Sequence, residues 1–342
     1  MELRNVSATR YKAVTSSILK LASTTNASSS PVNCSAIMRT TNQRLEDLLL
    51  ALFVTTLVLG TIFNSLAAWV FCYKMKKWTE SRVFMMNLLL SDCCLLFTLP
   101  FRIYANRRQW DLGFQFCNAI LSFYFLNTYM GIAIITLIAV DRFVAIKFPL
   151  KARSFRSPKK AAIACAVVWV LFICTRVYLD ALTDLRFRDH NLCFRKVNTK
   201  PLKRTLYFAV LGFCIPMIIL VFCSTQIILI LKRKNKLTDQ EEKDIQKSIY
   251  IVSANLAIFL FCFLPLGVGN ILRFVMESME LECSSLKAVS DFVNIAQGIC
   301  NINCCLDSVC YYFVAKEFWE KASILPKSKK QLIQDQTQDS SI

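Results

Sequence analysis

Asn64, Asp92, Asn303 and Asp307 stand in stretches that are otherwise almost wholly apolar. A charge at the centre of a bilayer costs about 2.5–3.5 kcal/mol on insertion scales, so an acid there needs compensation close by. Acids and amides facing one another would suit a small cation such as Na⁺, held by Asp92, Asn303 and Asp307, or a shared proton. The same side chains would also serve as a structural cluster that fixes helix packing. A second group is Asp141-Arg142-Phe143, a charge pair that closes an apolar run where a soluble partner could reach it. A third group is cationic. Arg102 lies just past Pro100, Arg176 near the end of an apolar run, and Arg273 about two helical turns beyond Pro265. Guanidinium groups suit bidentate capture of carboxylate or phosphate. With Tyr104, Tyr124 and Phe125 they would form a basic, aromatic-lined cup for an anionic amphiphile or an aromatic acid. Arg186, Arg188, Arg195, Lys196, Lys200, Lys203 and Arg204 would either join that cup or make a solvated rim. None of this is covalent chemistry. A single histidine, His190, makes neither a metal cluster nor a catalytic pair, and no phosphate loop or nucleophile elbow is present, so the chain does not read as an enzyme.

The scaffold that must position these groups is itself apolar. The 342 residues are 55% hydrophobic. Seven apolar runs recur, at 48–72, 83–101, 116–140, 161–175 with its flanks, 205–231, 248–272 and 288–315. A helix of about 20 residues spans a hydrocarbon core about 30 Å thick, whereas barrel strands are shorter and alternate in polarity. The expectation is therefore an all-α, seven-transmembrane helix bundle with a short amphipathic eighth helix. Its parts would be a tail at 1–46, the bundle at 47–315, and the eighth helix with a second tail at 316–342. Pro100, Pro216 and Pro265 would interrupt helices and shape a cavity or hinge.

The net charge of +18 does not indicate nucleic acid, because of where the charge lies. Lys74, Lys76, Lys77 and Arg82, then Lys147, Lys151, Arg153 and Arg156, then Lys232, Arg233, Lys234 and Lys236, then Lys316, Lys321 and Lys327, fall between alternate runs. They share one face, which the positive-inside rule makes cytoplasmic. The N-terminus would be extracellular and the chain a multi-pass protein of the plasma membrane. Residues 1–20 alone resemble a mitochondrial presequence, but a polar tail carried across by the first helix is simpler. Asn5, Asn26 and Asn33 open glycosylation sequons, consistent with that tail lying outside. Most of the sixteen cysteines fall inside apolar runs. Cys34, Cys193 and Cys283 fall outside them on the outer face and Cys117 opens the third run at that face, and an even number there suggests bridges whose pairing the sequence alone leaves open.

Motifs in order along the runs carry a resemblance. They are Gly60-x-x-x-Asn64, Asn87-Leu-Leu-Leu-Ser-Asp92, Trp110 before Cys117, Asp141-Arg142-Phe143, Trp169 and Pro216. Phe261-Cys-Phe263-Leu-Pro265, Asp307-Ser308-Val-Cys-Tyr311 and Lys316-Glu-Phe-Trp319 complete the set. The chain resembles the rhodopsin-like (class A) G-protein-coupled receptors, most of all the branch containing receptor thirty-five, with receptor fifty-five as its neighbour. The resemblance implies Cys117–Cys193 and Cys34–Cys283 bridges. It implies a helix switch pivoting near Phe263 and Pro265, with Arg142 released from Asp141 to reach Tyr311. It implies nucleotide exchange on a heterotrimeric G protein of the inhibitory or twelve/thirteen type, with arrestin as a further partner. Members of the branch respond to lysophospholipids and small aromatic acids. Thr128 takes a deep-pocket position that is arginine in receptor thirty-five, so the resemblance does not imply the same ligand. Phe143, Phe263, Ser308 and Ile245 depart from the usual switch residues, and Gly131 from a serine that often helps hold sodium. A multi-pass transporter of organic anions is the alternative, though no internal repeat supports it. The terminal Asp339-Ser340-Ser341-Ile342 suits carboxylate capture by a PDZ domain.

Overall fold

The computed structural model describes residues 34–40, 42–74, 78–181, 192–233 and 239–308. Among these, every regular element is helical: α1 (Cys34–Arg39), α2 (Gln43–Trp69), α3 (Glu80–Arg107), α4 (Phe114–Lys147), α5 (Pro149–Phe155), α6 (Pro158–Ala181), α7 (Lys203–Ala209), α8 (Ile215–Arg233), α9 (Asp239–Ser278) and α10 (Cys283–Asn301). π-Helical turns at Val70–Lys74 and Val210–Cys214 extend α2 and join α7 to α8. Six stretches are long and apolar enough to cross a membrane. The helix Cys283–Asn301 supplies the seventh leg and packs against α9, α2 and α1.

Side-chain caps set several helix starts. Asn42 accepts from the Arg44 amide at 3.0 Å, Thr79 from the Arg82 amide at 3.3 Å, and Ser157 from the Lys160 amide at 3.3 Å ahead of Pro158. α4 is central and packs on α3, α6 and α8. Trp169 of α6 donates to Asn87 of α3 at 3.1 Å. Leu59, Ile62 and Leu66 of α2 and Ile163, Val170 and Leu171 of α6 stay exposed, as lipid-facing side chains should.

The prolines do not break the legs as expected. α3 runs on through Pro100 and α9 through Pro265. Pro216 follows the π turn, which loosens the ladder just where proline withholds a donor. A bend comes instead at Ile302, whose carbonyl accepts from both Cys305 and Leu306 between α10 and the helical residues 303–308. α9 begins at Asp239, well ahead of the apolar run at 248–272. Arg82, expected among loop cations, is 7% exposed: it donates to the Phe71 carbonyl at 2.6 Å and covers the Trp78 ring. Tyr311, the eighth helix, the sequons at Asn5, Asn26 and Asn33, Arg186, Arg188, His190 and the terminal tetrapeptide lie outside the described residues.

Candidate ligand and signalling sites

Both disulfides lie at one end of the bundle. Cys117 and Cys193 (Cα–Cα 5.8 Å) pin the segment after α6 over α4, and Cys34 and Cys283 (5.4 Å) tie α1 to α10. These are the pairings the resemblance implied. Next to Cys193, Phe194 has φ 66° and lays its ring edge-on against Tyr124 at 5.3 Å and Trp110 at 6.4 Å. Arg102 is 5% exposed, between the rings of Phe53 (5.1 Å) and Phe194 (4.9 Å). No carboxylate among the described residues pairs with it, and its Nε has no hydrogen-bond partner. Below it, Asn301 donates to the Tyr124 hydroxyl at 2.9 Å, and Gln297 spans from Asn301 (3.4 Å) to Thr128 (3.3 Å). A buried cation thus stands over a floor of neutral donors and acceptors.

The other proposed cup residues are placed differently. Arg273 is already neutralised: its Nε bonds Glu277 at 2.9 Å and its NH2 group the Lys196 carbonyl at 3.3 Å. Glu277, 4% exposed, also binds the Lys196 ammonium. Arg176 is half-buried near the end of α6. The Tyr104 hydroxyl donates to Asp111 at 2.6 Å, and its ring meets Trp110. Phe125 stays 37% exposed, edge-on to Tyr124.

Midway down, Asp92 meets a residue that sequence reasoning missed: Asn127 of α4 donates to it at 2.8 Å. Asn303 donates to Asp307 at 2.6 Å, and Asn64 to the carbonyls of Gly60 (2.9 Å) and Cys304 (3.1 Å). Asp92 Oδ2, Asn64 Oδ1 and Asn303 Oδ1 are buried without partners. Orphaned hard oxygens beside two acids fit a small cation by donor chemistry. Gly131 adds no hydroxyl; a Cβ there would lie 3.6 Å from Phe263 and 3.8 Å from Asn303.

At the opposite end the expected Asp141–Arg142 lock is replaced. Asp141 is gripped by Arg156 through Nε at 2.8 Å and NH2 at 2.7 Å, with Glu80 at 3.8 Å from the same guanidinium. These hydrogen bonds hold the Arg156 guanidinium above its usual pKa. Arg142 instead donates to Ser81 at 2.9 Å. Phe143 packs edge-on against Phe148 and Phe222, and the Phe263 and Phe259 rings meet at a tilt, 5.0 Å between centroids. Ile245, at a position where the resemblance implies an acid, is buried.

Residues 63–331 match the family model described as 7 transmembrane receptor (rhodopsin family). The chain belongs to this family. It is similar to G-protein coupled receptor 35 of Homo sapiens, 40% identical over 281 residues that cover 82% of this chain and 88% of that one. G-protein coupled receptor 55 of Homo sapiens is 32% identical, over 86% and 94% of the two chains. Lysophosphatidic acid receptor 6 of Gallus gallus is 31% identical, over 77% and 88%. The protein is thus a multi-pass membrane receptor and not an enzyme. The receptor's site includes Asn127, Phe194, Glu277, Gln297 and Asn301, none of which the motifs singled out. The pair Gln297/Asn301 had a readable sign, since polar residues four apart share one face of an apolar helix. Phe194 had none, because only the backbone turn after Cys193 aims it inward.

Proposed function

We propose that the receptor binds an anionic amphiphile or aromatic acid at its disulfide end, and that this promotes nucleotide exchange on a heterotrimeric G protein at its Asp141 end. The observation that carries this reading is Arg102, a buried guanidinium with no carboxylate beside it. A buried charge left uncompensated is costly, and an incoming carboxylate or phosphate would relieve that cost with charge-assisted hydrogen bonds. Tyr124, Thr128, Gln297 and Asn301 would receive polar groups of the ligand, and Phe53 its apolar body. Arg273 serves less directly, since Glu277 already meets its charge. The disulfide end faces outward at the plasma membrane, and coupling is to inhibitory or twelve/thirteen-type G proteins. Asp92, Asn303 and Asp307 hold Na⁺ in the resting bundle; a thermal midpoint equal in sodium and choline chloride would remove the ion from the account.

The test is a panel of anionic lipids and aromatic acids, read as nucleotide exchange on several purified G proteins. Arg102→Ala should cost an active acid at least about tenfold in potency, as loss of a charge-assisted contact does. Arg273→Ala should cost less. Full potency of Arg102→Ala at unchanged surface level would overturn the assignment. Substrate flux into vesicles without nucleotide exchange would favour a transporter.

A further inference from the structure

Residues 193–196 are attached to the bundle at every position. Cys193 is bridged to Cys117. Phe194 adopts a left-handed backbone, φ 66°, which a bulky residue holds only when its surroundings compel it. Its ring lies 4.9 Å from the Arg102 guanidinium. Arg195 reaches Glu46 near the start of α2 at 3.7 Å. Lys196 binds Glu277 on α9, and the Lys196 carbonyl accepts from Arg273 of the same helix. α9 also carries Phe263 and Pro265.

These attachments connect the cup to one leg of the bundle, α9. A ring face gives a guanidinium some negative potential, but far less than a carboxylate does. The best-placed group over Arg102 is therefore a weak stand-in for an anion. Phe194 and Lys196 are two residues apart, so a backbone shift that carries the ring off Arg102 also pulls on the Lys196–Glu277 contact.

We propose that 193–196 is an autoinhibitory strap: Phe194 occupies the place of an anionic head over Arg102, and the Lys196–Glu277–Arg273 latch holds α9 to the strap until an acid displaces the ring. The proposal rests on Arg102 being the anion site. A ligand that binds the displaced state better shifts the population toward it, and the released latch frees the outer end of α9. Phe194 is then a specificity element, because only a head group that outcompetes the ring opens the strap.

The experiment uses the full-length receptor in lipid nanodiscs, with 1-oleoyl lysophosphatidate and 2-naphthoate as probes. Amide exchange across 192–202 is compared for wild type, Phe194→Ala and the nearly isosteric Glu277→Gln. Each variant should exchange about tenfold faster without probe, as local opening becomes easier. Phe194→Ala should bind at least one probe about three- to thirtyfold more tightly, the range of one lost ring–guanidinium contact. Unchanged exchange in both variants, or weaker probe binding by Phe194→Ala, overturns the strap. Faster exchange with no probe binding by any form supports the strap and instead overturns the reading of Arg102 as an anion site.

Discussion

Asp141 has one carboxylate and two arginines within its neighbourhood in sequence and space. Arg156 donates to both of its oxygens, while Arg142 turns to Ser81. The restraint on Arg142 is therefore a hydrogen bond to an uncharged hydroxyl, weaker than a guanidinium–carboxylate pair. Arg156→Gln should free Asp141 to pair with Arg142 and deepen the resting state. The Asp141 side chain is 12% exposed, but it only exchanges one arginine for another, so the gain is a modest one. Basal nucleotide exchange should fall about two- to fivefold, and an unchanged or raised basal rate would show that Arg156 does not compete for the carboxylate. The acid and Arg142 were legible in the sequence as a motif. Arg156 was legible only as one loop cation among many, because its role depends on how α5 folds it back beneath α4. Asp92 shows the same limit: its need for a partner was readable from burial cost, but Asn127 lies on a different leg whose rotation no motif fixes.

At the scale of elements, the seven legs and their order were readable from apolar length alone, since a bilayer leaves backbone few other solutions. What a proline does within a leg was not. α3 and α9 absorb Pro100 and Pro265 without ending, and the irregular backbone appears at Val210–Cys214 and Ile302. The π turn presents Phe213 to Gly267 of α9, and a Cβ on Gly267 would lie 2.2–2.4 Å from three atoms of the Phe213 ring. That notch lets α8 and α9 approach closely, and Phe213 and Cys262 belong to one buried cluster with Phe263. Gly267→Ala should force the ring out and destabilise the receptor by about 1–3 kcal/mol, the usual cost of overpacking. A lowered thermal midpoint in detergent checks this. Restoration by Phe213→Leu in the same chain would assign the loss to that contact, whereas a normal midpoint for Gly267→Ala alone would mean the legs have room to spare.

For the whole molecule, orientation decides which end is the cup and which the signalling face. Two features bear on it independently. Basic residues gather between alternate legs, and both disulfides lie at the end away from Asp141, as an oxidising exterior requires. Cys72, exposed in the π turn after α2, marks the basic end. Intact cells treated with a membrane-impermeant reductant and then an impermeant maleimide should therefore gain label at Cys34, Cys117, Cys193 and Cys283, with Cys72 labelled only after the membrane is opened. The bridged cysteines should stay unlabelled without reductant. Labelling of Cys72 from outside would invert the receptor and place Arg142 in the wrong compartment for a G protein. The Cys34–Cys283 bridge adds a finer expectation. It ties the tail to α10 and leaves the strap untouched, so Cys34→Ser with Cys283→Ser should lower thermal stability yet preserve the response to an acid. The matching pair Cys117→Ser with Cys193→Ser unpins the strap from α4, so its loss should fall on the response itself.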